Sequence, residues 1–316
     1  MKKPLTALAG ALALCLLLAG CVRSGPIGEL IDLIGDQYPD AERYSTGDFS
    51  LSAADVDELV ICWRAGRVEL VQTEDGVLSA SESGPAASED AALRWLLDGR
   101  TLYIQFCASG ARIRARAETK HLRVNLPAGL DLTVNTTSAD VLADQLDQRS
   151  VSVSAFSGGL LLGSVTADRV ELSTSSGDQR LADIAADTLS MSSTSGSLTV
   201  SGSASAAGEL RCTSTSGSVD LRGVGADAVA VNTASGGVRL ELLRCPALSV
   251  DTTSGTVKLA LPAGGARVQY ATSSGSLHTG LPHSVDGGVL WFGSGESRAA
   301  VTTTSGDLYI AETSEE

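Results

Sequence analysis

Residues 170–200 read VELSTSSGDQRLADIAADTLSMSSTSGSLTV, and within them one pattern occurs twice, with its glycines, Gly177 and Gly196, 19 residues apart. Apolar residues alternate with polar ones, a Ser/Thr run ends in Ser-Gly, and the alternation resumes. Working outward, the same corner recurs as TSTSG at 213–217, NTASG at 232–236 and DTTSG at 251–255. The corner glycines are Gly158, Gly177, Gly196, Gly217, Gly236, Gly255, Gly275 and Gly306, at intervals of 19, 19, 21, 19, 19, 20 and 31. An earlier copy ends at Ser138-Ala139, with alanine in the glycine's place. The longest interval holds an insertion near residues 281–298. A fixed period of this length marks a stacked repeat architecture.

Three columns carry the fold. Five residues before each glycine stand Val134, Val153, Leu172, Met191, Cys212, Val231, Val250, Tyr270 and Val301. The column seven before it is apolar throughout, from Leu132 to Ala299, and the column two after it is apolar except at Gln179. Period-two alternation on both sides of a corner means two short strands per repeat, each with one inward face. A single repeat does not bury enough apolar surface to offset the entropy of ordering its backbone, so neighbouring repeats must stack. The expected fold is all-β: a parallel β-solenoid of about nine ~19-residue coils over residues 129–312, roughly 43 Å long at the inter-strand spacing. A small N-terminal β region over 47–128, with strands around Ile61, Trp63, Val68 and Leu70 and around Leu102, Ile104 and Phe106, is expected to cap it. The corner glycine is expected to supply a positive φ, and the serine before it to hydrogen-bond the turn backbone.

The ends place the protein. Lys2 and Lys3 precede an apolar run from Leu5 to Leu18, followed by Leu18-Ala19-Gly20-Cys21, the order of a secretory signal. The run is too short to span a bilayer as a helix. Leu-Ala-Gly-Cys resembles the lipobox of bacterial lipoproteins, which implies cleavage after residue 20, acylation of Cys21, and a lipid-anchored location on the extracytoplasmic face of the cell membrane. Residues 21–46 read as a tether and 313–316 as a tail. Removal of the signal leaves 21 basic and 37 acidic residues, about 16 net negative charges. That balance disfavours nucleic acid as a partner.

The body resembles the bacterial putative-adhesin family of unknown function, built of repeated β-strand units and often carried on lipoproteins. The resemblance rests on Ile61-Cys62-Trp63 with Gly66-Arg67-Val68, on Leu122-Arg-Val-Asn-Leu-Pro127, on the serial Ser-Gly corners, and on Phe292-Gly-Ser-Gly295 through Thr303-Thr-Ser-Gly-Asp-Leu308. It implies a β-solenoid-like fold at the surface or envelope and no established activity.

No G-x-S-x-G elbow, phosphate-binding loop or C-x-x-C occurs, and His121, His278 and His283 lack the spacing of a helical zinc pair. Neither enzyme activity nor a cofactor or metal is expected. Cys62 and Cys107, both placed on outward faces of strands, are a candidate disulfide, with separate thiols as the alternative. Cys212 falls in an internal column, and Cys245 is too far around the coil to reach it. The leading function is adhesion or binding at the cell surface, to glycan, cell wall or a protein. The motivating features are the anchor and the polar rows two and four before each glycine, such as Thr213 with Thr215 and Thr302 with Thr304. The alternatives are an accessory or sensor of envelope-stress signalling, a cryptic carbohydrate-active enzyme, and a Thr ladder binding ice. Trp291 and Phe292 in the insertion are expected to cap the last core layer, with an exposed contact as the alternative.

Overall fold

The structure is a computed structural model that describes residues 37–84, 88–111, 120–202, 208–261 and 264–312. Each repeat turns at its Ser-Gly corner between two walls of parallel strands. On the first wall Asp131–Thr136, Ser150–Ala155, Glu209–Ser214, Ala228–Thr233 and Ala247–Thr252 follow one another, joined through the second halves of two long strands, Leu160–Thr174 and Gln179–Ser193. The first halves of those long strands belong to the second wall, with Asp140–Asp147, Leu198–Ser201, Val219–Gly225, Val238–Arg244 and Val257–Leu261. Registers match column to column: Val153 lies beside Val134 and Leu172, and Cys212 beside Met191 and Val231. The three apolar columns face the interior, joined by columns four and seven after the glycine, such as Leu181 with Ile184 and Leu221 with Val224.

At both ends, order in space departs from order in sequence. Glu58–Trp63 and Gly66–Gln72 form a coil that sits between the first repeat and a coil made of Thr101–Gln105 and Lys120–Leu126. The first coil in sequence is thus the second in space. The C-terminal end repeats the arrangement. Ser297–Thr303 and Leu308–Glu312, last in sequence, slide between the coil at 247–261 and the coil formed by Ala266–Thr272 and Leu277–Thr279. Nine repeat coils and the two N-terminal ones give eleven among the described residues, which at the inter-strand spacing span roughly 53 Å. We number them by position along the axis, so that coil 1 holds Lys120, coil 10 holds 297–312 and coil 11 holds 266–279.

Antiparallel strands close the N-terminal end. Val77–Ser83 and Arg94–Asp98 lie on coil 1, and Phe49–Ser52 and Ser45–Thr46 lie on them in turn. This change of direction blunts an edge that would otherwise template further strands. Beneath the cap, the buried Lys120 ammonium pairs with Glu82 at 2.7 Å and donates to the carbonyls of Ala91 and Phe106. It also lies over the rings of Trp63 (4.8 Å) and Phe106 (4.3 Å). A fully hydrogen-bonded cation is thus used where the aliphatic columns end.

The corner glycines are needed for a reason other than the expected one. None of the eight has a positive φ. Instead, a Cβ on Gly158, Gly177, Gly196, Gly217, Gly236, Gly255, Gly275 or Gly306 would lie 1.9–2.0 Å from the backbone oxygen of the corner residue in the coil one lower in number along the axis. The corners stack backbone on backbone, and no side chain fits between. Ala139 faces the one corner whose glycine, Gly66, does have a positive φ, +98°.

The hydrogen bonding of the corner also differs from expectation. At four corners a buried hydroxyl three residues before the glycine accepts from the glycine N–H: Ser193 at 2.8 Å, Thr233 at 3.1 Å, Thr252 at 3.0 Å and Thr303 at 2.8 Å. The serine immediately before the glycine reaches across to the neighbouring coil, as Ser235 does to the carbonyl of Thr215 and Ser254 to that of Ala234, both at 3.4 Å. One hydroxyl closes the turn and the other ties it to its neighbour.

Candidate functional site

The outer face of the first wall changes character along the axis. The position six before each glycine holds Thr133, Ser152, Glu171, Ser190 and Arg211 over coils 3–7, then Ala230, Ser249 and Ala300 over coils 8–10. The row two residues earlier switches in the same way, from Arg169, Thr188 and Glu209 to Ala228 and Ala247. Parallel register sets Ala228 beside Ala247, and Ser249 beside both Ala230 and Ala300. Small side chains on adjacent strands leave a trough in the wall.

Taller groups bound it. Glu209 of coil 7 stands on one side. On the other the chain after coil 11 forms a hairpin, Ser284–Asp286 with Val289–Trp291, turned by Gly287 and Gly288 at φ +55° and +81°. The hairpin's inner strand pairs antiparallel with 267–269, extending the first wall past its last coil. The resulting groove has a volume of about 700 Å³ and is open to solvent, a size within the range of small-ligand sites. Arg267 and Arg298, on adjacent strands and directly opposite in register, project at its hairpin side. Arg267 is fixed there: its Nε donates to the carbonyl of Gly295 at 2.8 Å, and its guanidinium lies 5.2 Å from the centre of the Trp291 ring.

Trp291 and Phe292 therefore divide their labour. Phe292 is 2% exposed and closes the core beside Leu290, while Trp291 is half-buried and lines the groove. The exposed polar rows of the corners form a second, shallower hollow of about 330 Å³, lined by residues that include Thr213, Asn232, Asp251 and Thr302. It is a surface of short hydroxyl, amide and carboxylate groups, with no aromatic or cationic side chain among its lining residues. Ser249 donates to Asp251 at 3.2 Å with no imidazole beside it, and among the described residues no group of three His, Cys, Asp or Glu side chains could hold a metal ion.

The other residues singled out from the sequence scatter. Cys21 lies outside the described residues. Cys62 and Cys107 are not bridged: Cys62 is half-buried beside Gln105, and Cys107 is 1% exposed rather than outward-facing. Strand pairing stops at Gln105, so the alternation lapses, and Tyr38 covers the segment by donating to the Cys107 carbonyl at 2.9 Å. Burial pushes the Cys212 thiol up to about 12 and the Cys245 thiol up to about 11. His121, His278 and His283 are exposed, and His278 stacks on Tyr309 at 4.6 Å. The groove itself was not among the expectations, although the switch to alanine at Ala228, Ala230, Ala247 and Ala300 is its signature in the sequence.

Two-walled parallel coils, glycine-on-glycine corners and a solvent-open groove on one wall define a β-solenoid of the repeat type, with both ends interlocked. The chain belongs to the Toastrack DUF4097 family, whose model matches residues 56–311. Among solved structures it is similar to a putative adhesin from Parabacteroides distasonis, at 15% identity over 84% of this chain and 97% of that one, with a TM-score of 0.51. It is also similar to a putative adhesin from Parabacteroides merdae, at 14% identity over 85% and 97% of the two chains, with a TM-score of 0.49. At such identities the likeness concerns the fold alone. No curated protein matches the chain.

Proposed function

We propose that this protein is a non-enzymatic, surface-binding lipoprotein: a rigid solenoid tethered to the membrane through Cys21, presenting the groove on its first wall to a partner at the cell surface. The observation that carries this reading is the groove. A run of alanine and serine interrupts a wall otherwise covered with charged and hydroxyl side chains, and an aromatic hairpin rises beside it. Small apolar floors with a few polar groups at the rim are the usual make-up of binding sites. The secretory signal with its Leu-Ala-Gly-Cys box supports export and anchoring, and the naming of the Parabacteroides distasonis protein as a putative adhesin accords with a surface role.

Ala247→Arg tests it by filling the exposed floor without touching the core. Purified wild-type body is expected to attach saturably to cell-wall fractions, and the variant to lose that attachment while keeping its melting temperature. Equal attachment by both proteins would reject the groove as the binding surface. Cys21→Ser is expected to release the protein from the membrane fraction.

A further inference from the structure

The groove's arginines, like Arg67 and Lys258, lack the acidic partner that most arginines of the described residues have. Ten arginines of the described residues are held in ion pairs, many with an acid two residues away on the same strand, as Arg211 is with Glu209 and Arg222 with Asp220. Arg267 and Arg298 are not. They are cross-strand neighbours in a chain of net charge −14, and among the described residues neither pairs with a carboxylate. Two like charges opposite one another on a sheet repel. Nothing in the packing requires Arg298: it is exposed, and alanine fills the equivalent place at Ala228 and Ala247. Arg267 is moreover held in one orientation by Gly295 and Trp291, so its remaining N–H donors are presented at little further entropic cost.

We propose that Arg267 and Arg298 form the anion-recognition element of this groove, and that its occupant is an acidic polysaccharide bound through its carboxylate groups. The inference rests on the binding role proposed above and names the ligand class. Guanidinium groups form paired, charge-assisted hydrogen bonds with carboxylates. The groove beyond them suits the rest of a sugar chain. Ala228, Ala230, Ala247 and Ala300 offer a flat floor to the C–H faces of a pyranose ring, and Ser249 and Gln269 offer hydrogen bonds to its hydroxyls. The open, shallow form accepts a chain passing through, and an acyl tail would lie there largely exposed to water, against its hydrophobic preference.

Isothermal titration of the full mature protein with oligogalacturonate, with dextran as the neutral probe, tests the assignment. The expected result is saturable binding of oligogalacturonate that weakens as salt is raised, and no binding of dextran. Arg298→Gln, a change at an exposed side chain, is expected to weaken binding at least tenfold with an unchanged melting temperature. Arg267→Gln is expected to weaken binding as well, with some loss of stability from its contacts to Gly295 and Trp291, and Arg239→Gln, on the opposite wall, to leave binding as it was. Oligogalacturonate binding that is absent, or unaffected by Arg298→Gln, overturns the proposal. So does tighter binding to vesicles of anionic phospholipid than to the oligosaccharide. Attachment to cell-wall fractions that survives Arg298→Gln but not Ala247→Arg leaves the groove a binding surface and removes only the acidic ligand. Loss of neither removes both.

Discussion

Gly217→Ala is the sharpest test of the stacked corner. A Cβ at this position would lie 1.9 Å from the oxygen of Gly196 and 2.7 Å from its carbonyl carbon, and both are backbone atoms that no rotamer change can move aside. To bring the closest approach to 3.0 Å the two coils must part by about 1 Å at the corner. Three hydrogen bonds span that gap: Ser216 N–H to Thr194 O at 2.9 Å, Thr215 N–H to Ser193 O at 3.2 Å and Leu198 N–H to Ser218 O at 2.9 Å. Stretching all three past bonding range costs about 3 kcal/mol. Alanine returns a few tenths to 1 kcal/mol by restricting the unfolded chain, so a net loss of about 2–3 kcal/mol is expected. Gly237→Ala is the matched control, because the nearest atom to its Cβ is Thr256 O at 3.9 Å. It should be neutral or slightly stabilising. Urea unfolding followed by circular dichroism compares the two. The stacking argument is refuted if Gly217→Ala stays within 0.5 kcal/mol of wild type or if the two variants suffer equally.

Lys120→Met strands Glu82 under the cap without its cation, and a loss of about 3 kcal/mol is expected on that ground, much of it recovered in the Lys120→Met/Glu82→Gln double variant; thermal melts of the three proteins decide. Gln179→Leu restores an aliphatic column where Gln179 Oε1 is buried without a partner; a gain of about 1–2 kcal/mol is expected, and a loss would mean that the bonds of its Nε2 to Thr174 and Ser192 matter more. Cys212 ionises near 9.0 when unfolded but only near 12 when folded, so its contribution is complete below pH 9 and lost as pH rises toward 12, at about 1.4 kcal/mol per unit. Stability measured from pH 8 to 11 should fall less steeply in Cys212→Val than in wild type.

What could be read from the chain, and what could not, follows from the range of the interactions. The inward columns were legible because alternation is a local property, and register along a stack of near-identical repeats repeats the same local answer. The interlocked ends were not. Residues 297–312 carry the same corner and columns as the other coils, so nothing local distinguishes a place beside 247–261 from one beside 266–279. The 31-residue interval was the sign of it: the intervening hairpin gives the chain the length to turn back. Glycine was read as a structural residue of the corners but with positive φ as the cause, since a positive φ and a close backbone approach leave the same residue behind. The groove stayed hidden because it needs three coils in register together with a hairpin 35 or more residues away in sequence from the floor residues on coil 9, Ala247 and Ser249.

The exchanged order of the terminal coils also constrains how the molecule is made. Synthesis delivers the chain from its N-terminus, so residues 266–279 appear before the segment on which they finally rest. Until 297–312 arrive, the strands at 247–261 present a bare edge, the kind that recruits foreign strands. A ribosomal stop or a protease cut that removes the last twenty residues therefore does more than shorten the spine. It withdraws the keystone from between two courses already laid, and such truncated chains should accumulate as aggregates or be degraded instead of persisting as slightly shorter rods.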